Sequence, residues 1–210
     1  MSKSSIRTAP QQPRGQQRVD LILDTAAVLF TEVGYENTTT NAIAERAGIS
    51  IGSLYRYFPD RDAILRALTE RYRAEIFALY DQAFTADVIY LPLPVLLDRL
   101  IDPFLEKHLA CPVYTHIMLG ADVSPEIAAA VYEVEQESIR RIAALFVRLV
   151  PSLTEVRARL AAVVIKAILK SLISLLATSQ EPDDRRQLIL EFKQVLLGYA
   201  ENTLRLAQAS

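Results

Sequence analysis

The stretch from Thr38 to Leu65, TTTNAIAERAGISIGSLYRYFPDRDAIL, constrains this chain more than any other, because it reads as two short helices crossing at a tight turn. Ile43, Ala44 and Ala47 give the first helix one small apolar stripe. Gly48 follows where that helix must stop with a positive φ. Ser50 restarts the chain as an N-cap, its hydroxyl placed to accept from a free amide of a second helix whose inward residues are Leu54 and Phe58. Two helices meeting steeply over a turn of about three or four residues leave no room for a large side chain at Ala44. The spacing is that of a helix-turn-helix.

At these residues the chain resembles the DNA-binding domain of the TetR/AcrR family of bacterial transcription regulators. The family's segment runs T-T-x-x-I-A-x-x-A-G-[VI]-S-x-G-x-L-Y-x-Y-F, followed by a short turn, a helix cap and a basic residue. Thr39, Thr40, Ile43, Ala44, Ala47, Gly48, Ile49, Ser50, Gly52, Leu54, Tyr55, Tyr57, Phe58 and Arg61 all fall in place. The resemblance implies an all-α fold, with an N-terminal three-helix helix-turn-helix domain and a C-terminal helical bundle for effector binding and dimerisation. The expected boundaries are a flexible basic arm over residues 1–15, the DNA-binding domain over 16–60 and the ligand-binding and dimerisation domain over 61–210.

In such a unit the second helix enters the major groove while the first crosses the backbone. The resemblance then assigns Thr40 to a phosphate, through its hydroxyl and the helix N-terminus, with Asn41 beside it suited to adenine if it reaches a base edge. Past the cap Ser50, which starts the recognition helix at the DNA, Ile51 packs on a thymine methyl, Gly52 allows close approach and Ser53 hydrogen-bonds a base. Tyr55 and Tyr57 hold phosphates with their hydroxyls, the alternative being core packing, although Leu54 and Phe58 already occupy the inward positions. Arg56 is either a further phosphate contact or a solvated charge. Arg61, one residue past the expected cap Asp60, is the basic phosphate anchor, at a helix start where an idle cation is mildly unfavourable. Arg18 lies near the start of the preceding helix, within reach of a phosphate.

A net charge of −2 argues against DNA binding taken globally, but residues 1–18 carry Lys3, Arg7, Arg14 and Arg18 with no acid. A local basic arm steers to phosphate even on an acidic molecule. The single cysteine, Cys111, excludes an internal disulfide and, with a polar Met1–Gly15 segment lacking an apolar core, suits a cytoplasmic protein. The apolar run Leu160–Ala177 is interrupted by Lys166 and Lys170 and reads as a buried helix of a soluble bundle, not a membrane span. His108 and His116 with Cys111 between them lack metal-ligand spacing, and no Gly-rich phosphate loop is present, so neither metal nor cofactor is expected.

The first helix is expected over Gln16–Val33, its buried face formed by Ile22, Ala26, Leu29, Phe30 and Val33. After Asp60 a long helix carries Ile64, Leu65, Leu68, Tyr72, Ile76, Leu79 and Tyr80 on one apolar face and should join the two domains. Further helices are expected over Val95–Leu109, Val113–Leu119, Ser124–Val150, Ser152–Thr178 and Asp183–Leu206, with Ser152 and Glu155 as a capping box and a kink or restart at Pro103. The last two helices are apolar on two faces, which asks for partners on both. Leu172, Leu175, Phe192, Val195 and Tyr199 are the expected homodimer interface, the alternative being one large internal core.

An effector pocket is expected between Tyr72, Ile76 and Tyr80 on one side and Phe104, His108, Cys111, Tyr114, His116, Met118 and Tyr132 on the other, a mix of apolar bulk and a few polar tips. Lys166 and Lys170 either pair with an anionic ligand or reach solvent beside Arg159 and Ser174, the latter preferred. Three functional classes follow. The leading one is a homodimeric regulator, most simply a repressor, that binds palindromic double-stranded operator DNA and is released by a small, mostly apolar effector. The second is the same fold without a ligand. The third is an enzyme using Cys111 with His108 or His116, disfavoured because no acidic residue stands nearby to orient the base.

Overall fold

Side-chain caps set the helix starts of the N-terminal third. Thr39 accepts from the Ala42 amide at 3.1 Å, Ser50 from the Ser53 amide at 3.1 Å and Asp60 from the Ala63 amide at 2.6 Å, each satisfying one of the free donors that begin a helix. The structure is a computed structural model that describes residues 13–119, 125–179 and 181–208. Helix α1 spans Pro13–Glu32, α2 Thr40–Arg46, α3 Ile51–Tyr57 and α4 Arg61–Ala83. Lys3 and Arg7 of the expected basic arm lie outside the described residues, whereas Arg14 already belongs to α1.

The turn between α2 and α3 closes as a Schellman motif. Gly48, at φ +64°, donates to the Glu45 carbonyl and the Ile49 amide to that of Ala44, both at 3.0 Å. Ile22, Ala26, Phe30, Ile43, Leu54, Phe58, Ile64 and Leu68 are all buried in the core that α1, α2, α3 and the first turns of α4 share. Val33, expected on that buried face, is exposed, because α1 ends at Glu32 and the chain turns away at Gly34, φ +84°.

The remaining chain folds as a bundle: a 3₁₀ turn over Ala86–Tyr90, then α5 Leu93–Ala110, α6 Pro112–Leu119, α7 Pro125–Leu149, α8 Glu155–Thr178 and α9 Pro182–Gln208. Pro103 sits inside α5 without ending it. Thr154, not Ser152, caps α8, accepting from the Arg157 amide at 3.3 Å, and Ser124 of the expected α7 start lies outside the described residues. Helix α8 is long and apolar enough to cross a membrane by length and composition, yet it packs on α7, α9, α6 and α5, burying Ala158, Ala161, Ile165, Leu169, Leu172 and Leu176. Helix α4 leans on α7, α5, α1 and α6, so it belongs to both the helix-turn-helix unit and the bundle.

Beside α4 the bundle buries an imidazole. His108 Nε2 lies 3.4 Å from the Tyr72 hydroxyl and Nδ1 3.2 Å from that of Thr115, with the Phe104 ring edge-on at 4.6 Å. Burial, reinforced by the Lys166 charge, pulls His108 from 6.5 down to about 3. The unfolded chain therefore binds a proton at pH 6.5 that the folded chain refuses until about pH 3, so stability is full above 6.5 and falls as pH drops through that window. Urea midpoints should correspond to a loss of about 2 kcal/mol between pH 7 and 5, and His108→Gln should flatten that slope.

Candidate DNA-binding face and apolar cavity

The starts of α2 and α3 form one exposed edge. Thr40, the first residue of α2, places its hydroxyl 3.1 Å from that of Tyr55, whose side chain on α3 is exposed. The bond fixes two hydroxyls side by side, each with acceptor and donor capacity left for a phosphate. Asn41 and Gly52 are exposed, and Ile51, Ser53 and Tyr57 half-buried. A Cβ built on Gly52 meets nothing within 4 Å, so no protein neighbour requires glycine there and the free space lies on the outer surface. Ser50 is engaged as the α3 cap, Arg56 is exposed with its guanidinium 5.9 Å from the Tyr57 ring, and Arg18 is exposed on α1.

Arg61 departs from its expected part as a phosphate anchor. Its Nη1 donates to the carbonyls of Tyr35, Glu36 and Thr38 at 2.8, 2.9 and 3.2 Å, and its Nη2 reaches Glu36 Oε2 at 3.3 Å. The guanidinium lies 4.0 Å from the centre of the Tyr35 ring, and the Tyr35 hydroxyl donates to Asp62. Burial and the Asp62 carboxylate push that hydroxyl up to about 12. Arg61 thus spends its donors inside the protein, tying the first turn of α4 to the connection between α1 and α2.

An apolar cavity of the bundle lies between α4, α5, α7 and α8, with about 70 Å³ open to the centres of water-sized spheres and about 720 Å³ once its open mouth is counted. Its walls are Tyr80 and Phe84, the α5 stripe from Leu93 through Leu96, Leu97, Leu100 and Ile101 to Phe104, Ser138 with Ile142, Leu145, Phe146 and Leu149 of α7, Ile165, Lys166 and Leu169 of α8, and Ala200 of α9. Only Tyr80, Ser138 and Lys166 bring polar side chains. Lys166, expected in solvent, is 8% exposed, while Lys170 one turn on reaches solvent. Desolvation holds Lys166 down at about 8, and its ammonium stands 5.3 Å from the Phe104 ring centre. An isolated buried ammonium costs several kcal/mol, of which a cation–π contact returns about 1 to 2.

Of the residues expected to form the effector pocket, Tyr80 and Phe104 line this cavity. Tyr72 and Ile76 are closed into the core, as are Tyr114 and Met118, and Tyr132 stands outside at 61% exposure. His108 and His116 border a separate hollow with Thr31, Thr115 and the end of α8. The α5 and α7 residues were missed because each helix shows only an ordinary apolar stripe. Burial pushes the half-buried Cys111 thiol up, and the His108 nitrogens face the hydroxyls of Tyr72 and Thr115.

The expected dimer face is also redistributed. Leu172 is 0% exposed and belongs to the chain's own core, since it falls on the inward stripe of α8 with Ala161, Ile165 and Leu169. Leu175 and Val195 are exposed, and Phe192 and Tyr199 half-buried. Val156, Leu160, Val163, Val164 and Leu175 extend an exposed apolar stripe along α8, with Val195 and Leu206 on α9.

Comparison with known proteins agrees with this architecture. Residues 22–68 match the family described as "Bacterial regulatory proteins, tetR family", and residues 92–199 match "Tetracyclin repressor-like, C-terminal domain". The chain belongs to the TetR family of bacterial regulatory proteins, with an N-terminal helix-turn-helix and a C-terminal helical bundle. It is 34% identical over 86 residues to the HTH-type transcriptional repressor KstR of Mycolicibacterium smegmatis, covering 41% of this chain and 40% of KstR. It is 36% identical over 70 residues to an uncharacterised regulator, YuxN, of Bacillus subtilis, covering 33% of this chain and 22% of that relative. The chain thus spans well under half the length of either relative. A TetR-family regulator from Streptomyces coelicolor superposes with a TM-score of 0.67 at 20% identity, covering 92% of this chain and 89% of its own. A SmeT–triclosan complex superposes with a TM-score of 0.65 at 23% identity, covering 91% of each chain.

The Arg61 clasp makes a measurable contribution to the fold. Arg61→Ala leaves three carbonyls to find water and removes the contact over Tyr35, and should lower stability by about 2 kcal/mol in chemical denaturation. Arg61→Lys, with a point charge in place of a planar fork, should recover less than half of that loss.

Proposed function

We propose that the protein is a homodimeric repressor that binds a palindromic operator and is released when a small, mostly apolar effector fills the cavity between α4, α5, α7 and α8. One observation carries this reading: the helix that supplies Tyr80 to the cavity wall is the same helix that Arg61 ties to the DNA-binding unit. Ligand and DNA thereby act on opposite ends of one rigid element. The repressor name of KstR and the bound triclosan of SmeT support the two halves by analogy.

On this reading residues 16–60 form the DNA-binding domain, whose first helix, α1, begins at Pro13, and 61–210 the effector and dimerisation domain. Thr40, Tyr55, Tyr57, Arg56 and Arg18 hold phosphates, whereas Asn41, Ile51, Gly52 and Ser53 face bases. Arg61 acts by positioning α4. The dimer forms through the exposed stripes of α8 and α9, with Leu175 and Val195 in place of Leu172 at its centre and Phe192 and Tyr199 at its edge. Pairing α8 and α9 with their copies sets the two recognition helices about 34 to 36 Å apart, one turn of DNA.

Binding-site selection followed by mobility-shift titration tests the DNA assignments. Tyr55→Phe should weaken all sequences alike, while Asn41→Ala or Ser53→Ala should relax preference at particular base pairs by about 1 to 3 kcal/mol each. A uniform loss from all three would remove Asn41 and Ser53 from base reading.

Sedimentation tests the assembly. Val195→Glu and Leu175→Glu, at exposed positions where the fold itself tolerates a charge, should give folded monomers that lose most operator affinity. A fully dimeric double variant would move the interface elsewhere.

A further inference from the structure

We propose that the effector is an amphipathic monocarboxylate, its carboxylate paired with the Lys166 ammonium and its alkyl or aryl body lying against the α5 and α7 walls of the cavity. The inference rests on the effector reading of that cavity and adds the chemistry of its ligand.

Three observations converge on an anion with an apolar body. Lys166 lies in register with the inward stripe of α8, four residues after Ala162 and three before Leu169, so its ammonium is delivered into the bundle and not to its surface. Among the described residues no carboxylate lies within ion-pair distance of it. Glu135 favours its charge only from farther off, and Lys170 opposes it. Against desolvation the protein offers the Phe104 ring face, a contact that helps but does not neutralise.

The remaining lining is apolar, with two exceptions. Among the described residues, the buried Tyr80 hydroxyl has no partner at hydrogen-bonding geometry. Ser138 and Arg141 lie near enough to favour its ionised form, but burial dominates and keeps it protonated, up to about 12, and so available as a donor. Ser138 adds a second hydroxyl to the same cavity.

Charge counting selects among anions. One ammonium and two neutral hydroxyls match one negative charge, whereas a phosphate monoester would bring a second charge into an apolar chamber with nothing to meet it. A neutral ligand of the same shape would fill the walls of Leu and Ile but leave Lys166 as costly as before. An amine would place like charges together. A carboxylate also restores Lys166 to its full charge, which burial otherwise brings within reach of neutral pH.

Calorimetry on the full chain decides the matter with octanoate, decanoate and 4-phenylbutyrate set against the alcohols of matching skeleton. The wild type should bind at least one carboxylate about thirtyfold or more tighter than its alcohol. Lys166→Met, which keeps the length of the side chain and fits an apolar wall, should retain its circular dichroism and melting temperature while the two ligand types become equal. Alcohols bound as well as carboxylates by the wild type would overturn the carboxylate assignment and leave the effector cavity standing. A carboxylate preference that survives in Lys166→Met would overturn the role of Lys166. Binding of neither class would overturn the effector reading of the cavity together with this inference.

Discussion

The Arg61 guanidinium, stacked on Tyr35 and bonded to the loop carbonyls of Tyr35, Glu36 and Thr38, makes the start of α4 a part of the helix-turn-helix unit. A lone cation at a helix N-terminus would be mildly unfavourable, and the dipole term is worth well under about 1 kcal/mol at such a site. Several charge-assisted hydrogen bonds outweigh it. The sequence position that looked like a phosphate anchor is therefore better explained by the loop it holds. Asp60 caps the same turn from the other side, and Asp62 receives the Tyr35 hydroxyl. Four neighbouring side chains lock one junction, and the orientation of α2 and α3 relative to α4 follows from it.

Farther along, α4 is tied by a different kind of contact. Arg71 meets Asp24 of α1 at 2.7 Å, Lys107 of α5 meets Glu75 at 2.6 Å and Arg141 of α7 meets Asp81 at 2.6 Å. The carboxylates of the first and last pairs are largely exposed, and such pairs contribute about 0 to 1 kcal/mol each. They can exchange partners with water cheaply. The junction at Arg61 does so less readily, because one guanidinium serves three carbonyls and the Tyr35 ring at once. On the proposed function, a displacement of α4 within the bundle is passed to the recognition helix through this joint.

Much of this was legible in the sequence where local chemistry decides. Gly48 at positive φ, the caps Ser50 and Asp60, and the inward pair Leu54 and Phe58 are each dictated by one turn's backbone, and they stand where the pattern put them. The α4 face from Ile64 to Tyr80 was likewise readable from its period. What the pattern could not show is which apolar stripe leaves space beside it. Leu96, Leu100, Ile142 and Phe146 look the same in sequence whether their neighbours fill the gap between α5 and α7 or leave it open. The same ambiguity put Leu172 at an interface, since two apolar faces on α8 do not say which of them turns inward. One signal was available and underused: Lys166 falls on the spacing of the buried Ala162 and Leu169, and a charged residue in core register seldom sits there without a reason.

The energetics of control follow from how little the proposed ligand needs to distinguish. A ligand shifts a two-state protein only by the difference between its affinities for the two states, and a hundredfold change in operator affinity requires about 2.7 kcal/mol of difference. Apolar burial alone supplies that poorly, because Leu and Ile walls can follow a ligand in either state with similar contact area. A charge pair is steeper. Its worth depends on separation and on how completely water is kept out, so a shift of α4, with Tyr80 in the cavity wall, changes the wetting around Lys166 far more than it changes contact with Leu97 or Ile142. The buried lysine that costs the folded chain stability is, on this view, the group best placed to make ligand binding sensitive to the position of α4, and through the Arg61 junction to the position of α3.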